Sequence, residues 1–177
     1  MKLTSLMLLS LVSSALLFAS GIEEERVEGM VADEAYNRML LRLLDGRAEL
    51  IGVEEALGLQ RSGEVNFLDA RTEEEFEISR IPGAVHIGFE EPDFSILEGV
   101  DENRLLILYC SVGYRSERMA AQLAELGYPR VVNLYGGIFE WHNRGYSLQD
   151  EQGETRRIHG YKPLWGRWID AQDMVVY

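Results

Sequence analysis

The sequence predicts an α/β domain built on a central parallel sheet with helices on both faces. Three observations lead there. Leu105-Leu106-Ile107-Leu108-Tyr109 is an uninterrupted apolar run, the pattern of a strand buried on both sides. Stretches 65–69, 84–87 and 131–133 have strand length and strand composition. Between these runs lie segments with apolar residues at three-to-four spacing, and such alternation of strands and helices argues for parallel pairing.

In chain order, residues 1–21 read as an export signal. Lys2 is the only charge, an apolar stretch with interspersed serines follows, and Ala19-Ser20-Gly21 supplies small residues for cleavage. The expected location is periplasmic or secreted. The membrane enters only if this signal stays uncleaved, and its apolar core is short of the roughly 20 residues that a span needs. Residues 22–50 are expected to form an acidic, solvated linker and then a helix. Tyr36, Met39, Leu40, Leu43 and Leu44 lie on one side of that helix, with Gly46 beyond its end. A helix or strand-to-helix entry is expected over 51–59. Thr72 precedes Glu75 by three residues, the spacing of a capping box. Glu73, Glu74 and Glu75 read as a solvated first turn. Residues 93–99 suggest a short helix or an irregular connection. Gly137–Asn143 reads as a helix.

The sequence holds one cysteine, Cys110, directly after the apolar run. Met119, Ala120, Leu123, Ala124 and Leu126 then follow at helical spacing up to Gly127. Cys110 is therefore expected on a tight loop between a buried strand and a helix N-terminus, where backbone amides lack partners and the helix dipole is positive. Gly113 lets the loop curl into a nest, and Arg115 adds a permanent charge. These features favour thiolate over thiol and make Cys110 a candidate nucleophile. The plainer alternative is a small buried cysteine filling a strand end.

Cys110, Gly113, Arg115 and Ser116 after an apolar strand resemble the active-site loop of the single-domain rhodanese sulfurtransferases. Phe67-Leu68-Asp69-Ala70-Arg71, Glu75-Phe76 and Ile81-Pro82-Gly83-Ala84-Val85-His86-Ile87 resemble the family's first signature. Gly136-Gly137-Ile138-Phe139-Glu140-Trp141 resembles its Gly-Gly-x-x-x-Trp segment. The resemblance covers residues 51–148. Ser79-Arg80 departs from the Gly-His that usually precedes the Ile-Pro-Gly turn, which puts the geometry of that turn in question. The resemblance implies a rhodanese-like fold and sulfur transfer through a Cys110 persulfide. The donor would be thiosulfate or a persulfide, and the acceptor a thiol or cyanide, with a protein sulfur partner as a further possibility. No cofactor and no metal are implied. Ser111, Val112, Gly113, Tyr114, Arg115 and Ser116 would cradle the substrate, with Asp69 and Arg71 supporting the loop. Arg115 has two readings, a clamp on the donor's anionic end or an ion pair that shapes the loop. Asp69 reads as structural first, and Arg71 as either structural or functional.

Other classes stay in view. A dedicated persulfide carrier would use the same cysteine without turnover. A phosphatase or arsenate reductase would use a related fold, but those relatives place five residues between Cys and Arg, and here four intervene. Val112 and Tyr114 make the loop less basic than one tuned for small anions. The formal charge of −13 argues against nucleic acid as a partner. The histidines His86, His142 and His159 show no metal spacing. In the extension 149–177, Tyr161, Leu164, Trp165, Trp168 and Ile169 suggest one helical face. It would either dock on the domain, against the helix containing Tyr36, or cover substrate or partner.

Overall fold

The computed structural model describes residues 22–98 and 104–177; the expected export signal at 1–21 lies outside them. Five strands, β1 (Glu49–Ile51), β2 (Val65–Asp69), β3 (Val85–His86), β4 (Leu105–Tyr109) and β5 (Val131–Leu134), form one sheet in the order β1-β5-β4-β2-β3. Every pairing in it is parallel. The connecting helices are α1 (Glu34–Leu43), α2 (Val53–Ser62), α3 (Glu73–Ile78), α4 (Tyr114–Glu125) and α5 (Gly137–Asn143).

Strand alternation divides the interior into two cores, because successive side chains point to opposite faces. Phe67, Ile107 and Tyr109 face one core, together with Tyr36, Leu40 and Leu41 of α1, Ala56 of α2, and Ile138, Phe139 and Trp141 of α5. Leu68, Leu106 and Leu108 face the other, against Met119, Ala120 and Leu123 of α4. The apolar run is thus continuous because both of its faces are covered. Trp141 anchors the first core: its ring meets Phe67 edge-on at 5.5 Å, and its Nε1 donates to the Ser147 carbonyl.

Several expectations need correction. Residues 22–28 are not a solvated linker. They contain a 3₁₀ turn, Glu24–Val27, and Ile22 and Val27 are buried in the first core. Glu49 and Leu50 belong to the sheet rather than to an N-terminal appendage, since they pair with Val132 and Asn133. The acidic run does not form a uniformly solvated turn: Glu73 and Glu74 are exposed, while Glu75 is buried. The capping box itself is present, with Thr72 Oγ1 accepting from the Glu75 amide and the Glu75 carboxylate accepting from the Thr72 amide.

The extension does not form one helical face. Its helix, α6, is only Pro163–Gly166. Leu164 points to solvent at 64% exposure, and Tyr161 precedes the helix in a left-handed conformation. The segment folds back through β8 (Ile158–His159) and β9 (Val175–Val176), which pair in parallel; β6 (Leu148–Gln149) and β7 (Glu154–Thr155) make a small hairpin before them. Docking against α1 does occur: the Trp168 ring stacks on Tyr36 at 5.3 Å. Asn143 of α5 binds the other side, donating to the Trp168 carbonyl and accepting from the Asp170 amide.

Candidate active site

The parallel register brings three strand ends to one edge of the sheet. Asp69 closes β2, lies beside Tyr109 at the end of β4, and pairs with His86 of β3. Cys110 follows Tyr109 immediately, at the carboxyl edge where open parallel sheets carry their sites.

Gly113 adopts φ +112° at the N-cap of α4, a conformation that a side chain would strain. Its amide donates to Cys110 Sγ at 3.2 Å. Burial pushes the Cys110 thiol up, but the Arg115 charge and the amides of Ser116 and Gly113 outweigh it and hold the pKa below the usual thiol value. The Ser116 hydroxyl donates to Asn133 Oδ1 at 2.7 Å and stands within reach of the Cys110 sulfur, so side-chain as well as main-chain groups hold it. Asn133 Nδ2 in turn donates to the Gly113 carbonyl.

Helix α5 fixes the other side of the loop. Its first-turn amides, those of Ile138 and Phe139, donate to the carbonyls of Cys110 and Ser111 at 2.9 and 3.1 Å. This locks those carbonyls away from the sulfur. It also explains Gly137, where a Cβ would overlap the Cys110 carbonyl and sit 2.7 Å from that of Ser111.

Two acid–guanidinium pairs brace the edge. Arg71 donates to both Asp69 oxygens and to the Ser79 carbonyl at 2.6 Å, and neither side chain of the pair is exposed. Ser79 is extended at φ −171°, a conformation open to any residue, so serine occupies the position where the family usually has glycine without strain. Arg115 donates through both terminal nitrogens to Glu75 at 2.7 and 2.8 Å, and Ser111 Oγ lies between them, accepting from Arg115 and donating to Glu75. Burial raises the Glu75 pKa, but Arg115 dominates and lowers it to about 2.

Cys110 opens onto a cavity of about 660 Å³. Of the residues proposed from the sequence, Cys110, Ser111, Val112, Tyr114, Arg115 and Arg71 line it. Gly113, Ser116 and Asp69 do not. Ser116 faces inward, Asp69 lies beneath the floor, and Gly113 acts through its backbone. His86 Nε2 donates to the Arg71 carbonyl at 2.8 Å, and its ring packs on Phe76. Sequence reading missed Glu75 as a partner of Arg115, because its capping-box position marks a helix start and not a partner forty residues on. It also missed Glu117, whose buried carboxylate accepts from the amides of Asp45, Gly46 and Arg47 and ties the loop after α1 to α4.

A cysteine held by amides at a helix N-terminus, on the carboxyl edge of a five-stranded parallel sheet, defines a class of thiolate-loop α/β domain. Residues 52–144 match the family model described as "Rhodanese-like domain", and the chain belongs to that family. It is 36% identical over 77 residues to the "Putative sulfur carrier protein YrkF" of Bacillus subtilis, a match covering 44% of this chain and 41% of that protein. It is 32% identical over 90 residues to a "Sulfurtransferase" of Allochromatium vinosum, covering 51% of this chain and 83% of that one. Among solved structures, a thiosulfate sulfurtransferase from Pseudomonas aeruginosa superposes with a TM-score of 0.54 at 28% identity, over 63% of this chain and 21% of that chain. These similarities support a sulfurtransferase-type function.

Proposed function

We propose that the protein moves sulfane sulfur from thiosulfate or a persulfide donor to a thiol or cyanide acceptor through a persulfide on Cys110. The observation that carries this reading is the Cys110 sulfur, buried under the cavity with the Gly113 amide on it and the Arg115 charge nearby. In the first step the Cys110 thiolate attacks the outer sulfur of the donor. The donor's S–S bond breaks, and sulfite or a thiolate leaves with the electron pair. In the second step an acceptor thiolate attacks the outer sulfur of the Cys110 persulfide, and the Cys110 thiolate departs. No outside oxidant or reductant is needed, and the sequence of steps is ping-pong. The amides that hold the thiolate are placed to stabilise charge on sulfur throughout.

The phosphatase reading draws no support from the site. Only four residues separate Cys110 from Arg115, and Arg115 is paired through both terminal nitrogens with Glu75. The carrier reading shares the persulfide and differs only in turnover.

The test is mass and rate together. Incubation with donor should add about 32 Da, one sulfur atom, to the intact chain. Cys110→Ser should show no such addition and should lose at least about three orders of magnitude of transfer to cyanide, with unchanged circular dichroism. Transfer surviving in that variant would remove the mechanism. Loading without turnover would assign the carrier role.

A further inference from the structure

The cavity above Cys110 is not built by the family domain alone. Tyr161, Lys162 and Trp165 line it, and all three lie beyond residue 144, on the C-terminal extension. This wall is held in place deliberately. Tyr161 sits at φ +61°, a conformation uncommon for a bulky residue, and its amide donates to His159 Nδ1 at 3.0 Å. The Tyr161 ring lies 4.9 Å from the Arg115 guanidinium on one side and 5.2 Å from Lys162 Nζ on another. Behind the wall, Trp168, Asn143 and the β8–β9 pairing fix the segment to the domain.

The charges of the lining are uneven. Arg71 and Arg115 are each neutralised by a carboxylate, Asp69 and Glu75. Glu73, Glu90 and Glu91 also line the cavity. Lys162 is exposed and, among the described residues, makes no ion pair. Much of the remaining lining is apolar or aromatic: Leu43, Phe89, Val112, Tyr114 and Trp165. A small dianion such as thiosulfate would leave most of this volume empty and face the glutamates. An organic molecule with a carboxylate for Lys162 and an ammonium for Glu73, Glu90 or Glu91 matches both charges of the lining.

Resting on the sulfurtransferase reading, we infer that Tyr161, Lys162 and Trp165 form a specificity wall that selects a zwitterionic organic persulfide, of amino-acid or small-peptide type, over thiosulfate.

The experiment compares three donors on the full chain: glutathione persulfide, the persulfide of 2-mercaptoethanol, and thiosulfate. In the unmodified protein kcat/KM should be largest for glutathione persulfide. Lys162→Gln should raise KM for glutathione persulfide about fivefold, the size of a partly exposed ion pair, and should contract its advantage over the uncharged mercaptoethanol persulfide. Trp165→Ala should lower kcat/KM for both organic donors relative to thiosulfate. A preference for thiosulfate in the unmodified protein, or donor ratios that both variants leave unchanged, would overturn the wall. Lys162 is exposed, so its substitution tests the idea even where Trp165→Ala disturbs folding. Failure of all three donors to load Cys110 is a different result: it would remove the sulfurtransferase reading itself and this inference with it.

Discussion

Asp69–Arg71 and Glu75–Arg115 are two acid–guanidinium pairs of the same chemistry at the same edge of the sheet. Both are two-point contacts, and both acids lie at or just after the end of β2. They differ in what surrounds them. The first pair has no exposed side chain even though Arg71 also lines the cavity, and its guanidinium is bound to the Ser79 carbonyl and lies 5.6 Å from the Tyr109 ring. In the second, the carboxylate is buried but Arg115 keeps 13% of its side chain exposed, borders the cavity and meets Tyr161. Burial, not chemistry, therefore separates a brace from a working charge. The buried pair ties the end of β2 to the segment after α3 at Ser79. The open pair lends its field to Cys110 while Glu75 keeps it from wandering.

Asp69→Asn leaves a buried, uncompensated Arg71 and should cost about 3–5 kcal/mol in chemical denaturation. Glu75→Gln should cost less, because Arg115 can turn toward solvent. Equal losses would show that exposure does not distinguish the pairs. Arg115→Ala should raise the Cys110 pKa and shift the pH curve of iodoacetamide alkylation upward, with Arg115→Lys recovering part of the effect. A curve that superimposes on the unmodified protein would reduce Arg115 to a loop-shaping residue.

The smallest effect is the acid limb of stability. Glu75 titrates near 2 in the fold against an ordinary 4.5, so its folded pKa is depressed. Its contribution is present above 4.5 and is lost as pH falls from there toward 2. In Glu75→Gln the loss of stability across that interval should be shallower, read from denaturation midpoints at successive pH values.

Much of this was legible beforehand where one signal had one cause. The run 105–109 reads as a doubly buried strand because its five apolar residues are of strand length and helical spacing begins only beyond Cys110. Thr72 and Glu75 announce a helix start. Sequence spacing does not reveal that the capping glutamate also faces Arg115, forty positions away, because that depends on the β2–β4 register. Helical periodicity likewise misled in the extension. Tyr161, Leu164, Trp165 and Trp168 share a spacing, but Pro163–Gly166 is only one turn, and the aromatic residues divide between the cavity and the Tyr36 stack.

The ties between the Cys110 loop and α5 have a consequence for how the site can diversify. The carbonyls of Cys110 and Ser111 are bound to the Ile138 and Phe139 amides, and the Gly113 carbonyl is bound to Asn133 and to the Glu117 amide. Anchors at both ends leave no slack for an inserted residue, and the close approach of Gly137 to the Cys110 and Ser111 carbonyls leaves no room for the loop to swell toward α5. Loop length is therefore a frozen variable, and enlarging the nest for a bulkier tetrahedral anion would break several of these bonds at once. The side chains of Val112 and Tyr114, and the wall from the extension, carry none of them. Change in this protein is channelled away from the ring around the Cys110 sulfur and into the side chains that line the cavity.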